Sequence, residues 1–125
     1  MRDTMKLAEI IEPDFSFADE RGLLVQIAHE NVAQVNAVFT KKGAVRGNLH
    51  YHKQAAETFY ILTGKVRVTL VLDGELEEAV FGAGDAFRIP PCVRHTFDYL
   101  EDTYLVGLYS ACVELPDGTK DIFLE

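Results

Sequence analysis

The chain has 125 residues, of which 48% are hydrophobic and 26% are charged. That length leaves room for one domain, and the composition is that of a globular protein rather than a disordered one. Twenty acidic residues against twelve basic ones give a formal net charge of −8. This balance argues against nucleic acid and anionic membrane surfaces as partners, because phosphate binding requires a basic face.

The sequence also lacks the signals of membrane insertion and secretion. No apolar run approaches the roughly 20 residues that span a bilayer, and the segment Met1–Lys6 carries an acid and no apolar core of a secretory signal. We therefore expect a cytoplasmic protein with no membrane partner. Two cysteines, Cys92 and Cys112, are too few for a disulfide framework. Without further soft ligands at a zinc-site spacing, both are interpreted as small hydrophobic residues.

Turn signals recur at short intervals with strand-like runs between them, a pattern typical of an all-β sandwich or barrel. Near the start, Met5–Ile11 is compatible with a strand or a short helix. The clearest unit is a hairpin in which Val66–Leu72 reaches the strong turn signal Asp73-Gly74 and Glu75–Phe81 returns. Further strands are predicted, in chain order, over Leu23–Ala28, Gln34–Thr40, Ala44–Tyr51, Thr58–Leu62, Ala86–Ile89, His95–Tyr99 and Thr103–Ser110.

Three of the four histidines form a pattern with one glutamate. His50 and His52 are separated by one residue, so their side chains share a face if this segment is extended. Glu57 and His95 stand at the starts of later strand-like runs, and inward-facing side chains converge in a closed barrel. Three imidazoles and one carboxylate suit Zn, Fe, Mn, Ni or Co at about 2.0–2.2 Å. The pattern predicts one divalent metal ion without identifying it.

Each of these histidines also has a simpler interpretation as a hydrogen-bonded strand residue. Their joint register with the glutamate favours the metal site. The simpler interpretation stays open for His95, which follows the turn at Pro90-Pro91.

These residues resemble the two sequence motifs of the cupin superfamily. The resemblance is carried by His50-x-His52-x4-Glu57-x6-Gly64 in the first motif and by Gly84–Pro90 with His95 in the second. It implies that the four side chains are the metal ligands. It also implies an all-β fold with a single β-barrel of the jelly-roll (double-stranded β-helix) type.

The resemblance further implies how the domain is organised. We expect one cupin domain over residues 1–125, with N-terminal strands in 1–42, the metal-binding barrel core in 43–112 and a C-terminal strand or tail in 113–125.

Residues upstream of the first motif resemble those of the nucleotide-sugar cupins, which include dTDP-sugar 3,5-epimerases and 3,4-ketoisomerases. An acidic-Arg-Gly turn at Asp19–Gly22 precedes the segment Arg46-Gly47 that leads to the first histidine. In that group the arginine helps to hold an anionic substrate, and a guanidinium suits a diphosphate. The resemblance therefore implies that Arg46 binds substrate and that the protein is a homodimer whose N-terminal strands pack against the neighbour.

Three aromatic residues are candidates for the wall of a substrate pocket. By strand parity Phe97 and Tyr99 share the face of His95, and Phe59 shares that of Glu57. Strand aromatics more often belong to the core, so both roles stay open. No catalytic residue is assigned.

The leading hypothesis is a metal-binding cupin enzyme that acts on a small-molecule substrate, a nucleotide-sugar or similar polar metabolite, as an isomerase or epimerase. A histidine suits proton transfer beside a carbonyl, but a metal-bound imidazole nitrogen has no free lone pair for that role. Two alternatives remain. One is a metal-dependent oxygenase or hydrolase-type cupin, and the other is a non-catalytic module that binds a small ligand.

Overall fold

The computed structural model describes residues 5–124. The predicted domain limits at 1 and 125, and the first four residues of the chain, lie outside this range. The described residues form eleven strands, and none of them is in a helix that could cross a membrane. The strands are β1 (Glu9–Ile10), β2 (Phe15–Asp19), β3 (Gly22–Gln26), β4 (Gln34–Thr40), β5 (Val45–His50), β6 (Glu57–Thr63), β7 (Lys65–Leu72), β8 (Glu75–Gly82), β9 (Ala86–Ile89), β10 (Arg94–Tyr99) and β11 (Thr103–Tyr109).

Two antiparallel sheets pack against each other. One has the strand order β1-β9-β6-β11-β4 and the other β5-β10-β7-β8, while β2 and β3 form a separate hairpin. Aromatic rings join the two sheets, with centroids 4.9 Å apart for Phe59 and Phe97 and 4.0 Å apart for Phe81 and Phe87. The predicted all-β fold of the jelly-roll type is confirmed, and the described strands are arranged as two facing sheets.

The hairpin of β7 and β8 forms as its sequence predicts. On β7, Val66, Val68 and Leu70 are fully buried while the residues between them are partly exposed, the period of two expected of a strand with one face in the core. The turn residues Asp73 and Gly74 both have positive φ, at 50° and 81°. This is the combination that a tight hairpin turn requires.

The other predicted strands occur within two residues of their expected limits, with three differences. Within Met5–Ile11 only β1 is regular, and it is a strand. The exposed strand β2 was not predicted. The strand β5 ends at His50, so His52 lies in the turn that follows it. Strand alternation is therefore not what brings these two histidines together.

Gly64 connects β6 to β7 with a φ of +104°. A Cβ here would collide with Thr103 Oγ1 and would lie 2.5 Å from the carbonyl oxygen of Asp102. Gly118 offers a matched position, because its φ is +89° but nothing lies within 4 Å of an added Cβ.

We predict that Gly64→Ala lowers the free energy of unfolding by about 2–5 kcal/mol, since the left-handed backbone and the overpacking both contribute. Gly118→Ala, which has only the backbone contribution, should cost about 1–2 kcal/mol. Urea unfolding of both variants measures the difference. Equal losses would show that the close approach of Thr103 does not constrain residue 64.

Candidate metal centre

Backbone carbonyl groups determine the tautomers of the two buried histidines, His52 and His95. His52 Nδ1 lies 2.5 Å from the carbonyl oxygen of Asp121, and His95 Nδ1 lies 3.0 Å from that of Val93. A carbonyl oxygen only accepts, so each Nδ1 donates its hydrogen. In the neutral rings, Nε2 then carries the lone pair, and both Nε2 atoms face the carboxylate of Glu57.

The two imidazole rings lie close to the carboxylate of Glu57 but leave some of the facing atoms without a hydrogen bond. Glu57 Oε1 is 2.8 Å from His52 Nε2 and 3.1 Å from His95 Nε2. Even so, His52 Nε2 and Glu57 Oε1 are buried and have no hydrogen-bond partner of acceptable geometry among residues 5–124. Buried polar atoms without partners are rare and costly. Two such atoms side by side are expected where both lone pairs point at a metal ion.

His50 completes the cluster from the end of β5. One ligating atom each from His50, His52 and His95 lies within 4.8 Å of the others. Two atoms bound to one ion at about 2.0–2.2 Å are at most about 4.4 Å apart. The three imidazoles therefore stand close to coordination distance, and the cluster is compatible with a metal site.

The pKa values of His50 and Glu57 favour the binding of a cation at this site. Burial lowers the pKa of His50 to about 4, and the rings of His95 and His52 add to the effect. Burial alone would raise the pKa of Glu57, but the imidazoles of His52 and His95 lower it to about 2. At neutral pH these two groups hold the forms that bind metal. Burial lowers the pKa of His52, but Glu57 and Asp121 outweigh it, so the pKa is raised.

A bulge in β5 aims His50 into the site. His50 pairs with His95 on β10, and beyond this pair three residues of β5, Gly47–Leu49, stand opposite the single residue Thr96. All three have positive φ, and Leu49 N donates to Thr96 Oγ1 at 2.7 Å. Bulges redirect side chains and are common beside functional sites. Strained backbone thus directs the first candidate ligand.

The cluster opens into a cavity of about 220 Å³. This is smaller than the roughly 300–1,000 Å³ of sites that enclose drug-sized ligands, so the cavity suits a small molecule or one ring of a larger one. The residues lining it include Gln34, Asn36, Val38, Arg46, His50, His52, Glu57, Phe59, His95, Phe97, Tyr99, Leu105, Tyr109, Val113 and Ile122.

The four predicted substrate-binding residues all lie on this wall, and their role in binding stays a prediction. Phe59 and Phe97 are buried edge-to-face neighbours that belong to the core and the wall at once. Arg46 is exposed and its Nε donates to Thr40 Oγ1 at 2.8 Å. Burial raises the pKa of the Tyr99 hydroxyl, which lies beside the same threonine.

Sequence reasoning missed several residues of the site, and two of them, Tyr109 and Asp121, bear on its chemistry. Tyr109 lines the cavity, and burial together with the charge of Glu57 raises the pKa of its hydroxyl. Parity with Leu105 along β11 could have identified it. Asp121 contacts His52 from the C-terminal tail. No periodicity in the tail points to it.

The sequence around this cluster matches a known protein family. The family model described as the cupin domain matches residues 38–109, a stretch that contains all four predicted ligands. The chain belongs to the cupin domain family. Its predicted resemblance to cupins is therefore confirmed.

Curated and solved relatives of this cupin differ in activity. It is 33% identical over 91 residues to a 3-hydroxyanthranilate 3,4-dioxygenase from Burkholderia cenocepacia, in an alignment that covers 69% of the chain and 48% of the dioxygenase. The chain thus spans about half the length of that relative.

Solved structures share the fold at low identity. A sugar 3,4-ketoisomerase from Thermoanaerobacterium thermosaccharolyticum in complex with TDP is 23% identical, with a TM-score of 0.78 and coverage of 96% of this chain and 89% of that one. A 3'-monoepimerase from Streptomyces bikiniensis in complex with dTDP-quinovose is 23% identical, with a TM-score of 0.74 and coverage of 92% of this chain and 69% of that one.

We predict that the purified protein holds about one divalent ion per chain and that His95→Ala removes it, because the variant lacks one of the converging imidazoles. His29→Ala is the matched control, since His29 is exposed and outside the cluster. Elemental analysis of the three proteins by mass spectrometry decides the point. Equal metal content in His95→Ala and wild type, or no ion retained by any of the three after Zn(II) loading, would contradict the metal site.

Proposed function

We propose that this cupin is a metal-dependent enzyme that binds one divalent ion through His50, His52, Glu57 and His95 and acts on a small polar metabolite beside it. The observation that carries the proposal is the unpartnered pair of buried atoms, His52 Nε2 and Glu57 Oε1, at 2.8 Å. Hydrogen-bonded strand histidines would have no need for such a pair.

Four protein ligands leave positions open on a five- or six-coordinate ion, which when bound would polarise a substrate carbonyl or hydroxyl oxygen. The imidazoles of His52 and His95 are unsuited to proton transfer, because one nitrogen of each faces the ion and the other donates to a backbone carbonyl. The phenols of Tyr99 and Tyr109 keep their protons at neutral pH, since burial raises both pKa values. They are suited to donate hydrogen bonds to substrate oxygens.

The substrate class we propose is a nucleotide-linked sugar or a similar polar metabolite, converted by isomerisation or epimerisation. The support is the shared fold with a ketoisomerase bound to TDP and an epimerase bound to dTDP-quinovose. The cavity of about 220 Å³ suits the sugar ring, which leaves the diphosphate on the exposed side, where Arg46 stands.

A metal-dependent oxygenase is the second candidate. The observation in its favour is the 33% identity to a 3-hydroxyanthranilate 3,4-dioxygenase across 69% of the chain. The aromatic wall formed by Phe59 and Phe97 also suits a flat ring.

Turnover assays separate the two candidates. Protein loaded with Fe(II) or Mn(II) is incubated with TDP-4-keto-6-deoxyglucose in D₂O and, separately, with 3-hydroxyanthranilate in air. We expect deuterium to be incorporated into the sugar without oxygen uptake. Chelation of the metal and the substitution Glu57→Ala should each stop this incorporation. Oxygen uptake with 3-hydroxyanthranilate would instead support the oxygenase. Tight binding of the sugar nucleotide without turnover in either assay would support a non-catalytic binding module.

We predict that Arg46→Ala weakens the binding of TDP by about 10- to 100-fold, because charge-assisted hydrogen bonds to a diphosphate contribute about 1.5–3 kcal/mol. Arg67→Ala, on β7 and away from the cavity, is the control that leaves affinity unchanged. Isothermal titration calorimetry measures both. Equal affinity for the Arg46 variant and wild type would remove Arg46 from the substrate site.

We also propose that the protein is a homodimer. The hairpin of β2 and β3 belongs to neither main sheet, and Phe15, Phe17, Leu23 and Leu24 are each more than half exposed on it. Phe17 and Leu24 are cross-strand partners. A two-stranded hairpin is marginal alone and an apolar surface of this kind calls for a partner. A second copy would cover it.

We predict that Phe17→Asp converts the dimer to a monomer of 14.0 kDa, since it puts a charge in the buried interface. Leu76→Asp is the control, because Leu76 is 66% exposed and lies on β8, outside the hairpin. Light scattering after size-exclusion chromatography gives both masses. A monomeric wild-type protein at micromolar concentration would contradict the proposal.

A further inference from the structure

The C-terminal segment Val113–Leu124, called the C-terminal strap below, crosses the turn that carries His52. Tyr51 and Phe123 exchange two backbone hydrogen bonds, at 2.9 and 3.0 Å. Arg94 Nη1 donates to the carbonyl of Leu124 at 2.7 Å. The strap is thus attached to the end of β5 and to β10, the two strands that lead to the histidine cluster.

One side chain of the strap is buried in this junction. Asp121 is only 1% exposed, and its carboxylate accepts hydrogen bonds from three successive backbone amides. Oδ1 accepts from Lys53 N at 2.8 Å, and Oδ2 accepts from Gln54 N at 2.9 Å and Ala55 N at 3.1 Å. These amides form the turn that follows His52, so both carboxylate oxygens are used to hold it.

The backbone of Asp121 contacts the site directly. Its carbonyl oxygen accepts the Nδ1 hydrogen of His52 at 2.5 Å. A single residue therefore holds the ring of one candidate ligand and the backbone that leads from it to the next, Glu57. Partners of this kind, which orient a ligand without binding the ion, set its tautomer and direction.

We propose that Asp121 is a positioning residue of the metal centre. Its carbonyl keeps His52 Nε2 directed at the ion, and its carboxylate fixes the turn 53–55 that sets the spacing between His52 and Glu57. The inference rests on the proposed metal site and extends it to the C-terminal strap, which becomes part of the binding machinery.

Asparagine at this position is a sharp test because it has nearly the same shape. Its amide offers one acceptor oxygen where the carboxylate offers two, so at least one of the three turn amides faces an NH₂ group instead of an oxygen. The turn and the strap must then separate, and the carbonyl moves away from His52. Asp117→Asn is the matched control. It lies at the exposed tip of the same strap, where its carboxylate accepts hydrogen bonds from the backbone and side chain of Thr119.

The first experiment titrates Co(II) into the metal-free wild type and both variants and follows the visible absorption of the bound ion. We expect Asp121→Asn to bind Co(II) about 10- to 100-fold more weakly, the usual effect of removing an orienting partner, with a changed band shape. Asp117→Asn should match the wild type. Wild-type affinity and spectrum in Asp121→Asn would overturn the proposal.

A second measurement needs no metal and separates this inference from the metal site itself. In NMR spectra of the metal-free protein, we expect a slowly exchanging Nδ1 hydrogen on His52 in the wild type and in Asp117→Asn, and its loss in Asp121→Asn. A wild-type His52 without this hydrogen overturns the positioning role, even if Asp121→Asn fails to fold. Failure of the wild type to bind Co(II), with the hydrogen present, would instead overturn the proposed metal centre.

Discussion

The proposed metal centre depends on two buried polar atoms that lie close together without forming a hydrogen bond of acceptable geometry. His52 Nε2 and Glu57 Oε1 are 2.8 Å apart, and neither has a hydrogen-bond partner in the described part of the chain. Leaving a buried polar group unpaired costs on the order of 1–3 kcal/mol, which is a large fraction of the stability of a small domain. A divalent ion held between the imidazoles and the carboxylate would remove this cost, and ion binding would then also stabilise the fold.

The rest of the fold brings the candidate ligands to that point from separate parts of the chain. The bulge at Gly47–Leu49 aims His50, the start of β6 supplies Glu57, and β10 supplies His95 from the facing sheet. The C-terminal strap closes one side of the histidine cluster, through its contacts with the turn that carries His52. Because backbone carbonyls hold Nδ1 of two imidazoles, the histidines are suited to bind a cation rather than to shuttle protons. In the proposed function, substrate chemistry would then depend on the open coordination positions of the ion and on the polar groups of the cavity wall.

The parts of this arrangement that depend on local pattern could be predicted. The alternation of Val66–Leu72 and the pair Asp73-Gly74 define a hairpin within 16 residues. The motif spacing selects three histidines that do cluster and a glutamate that contacts two of them, His52 and His95. The features that could not be predicted depend on contacts between residues distant in sequence, or on irregular backbone that no sequence periodicity marks. The bulge before His50 contains Leu49 at positive φ, a conformation that the propensity of leucine does not indicate. Asp121 acts on a turn 66–68 residues away.

X-ray absorption spectroscopy of the Co(II)-loaded protein tests most directly whether these side chains share one ion. The account predicts a first shell of nitrogen and oxygen at about 2.0–2.2 Å, with the outer-shell scattering of three imidazole rings. A cobalt ion surrounded by water oxygens alone, without imidazole scattering, would contradict it.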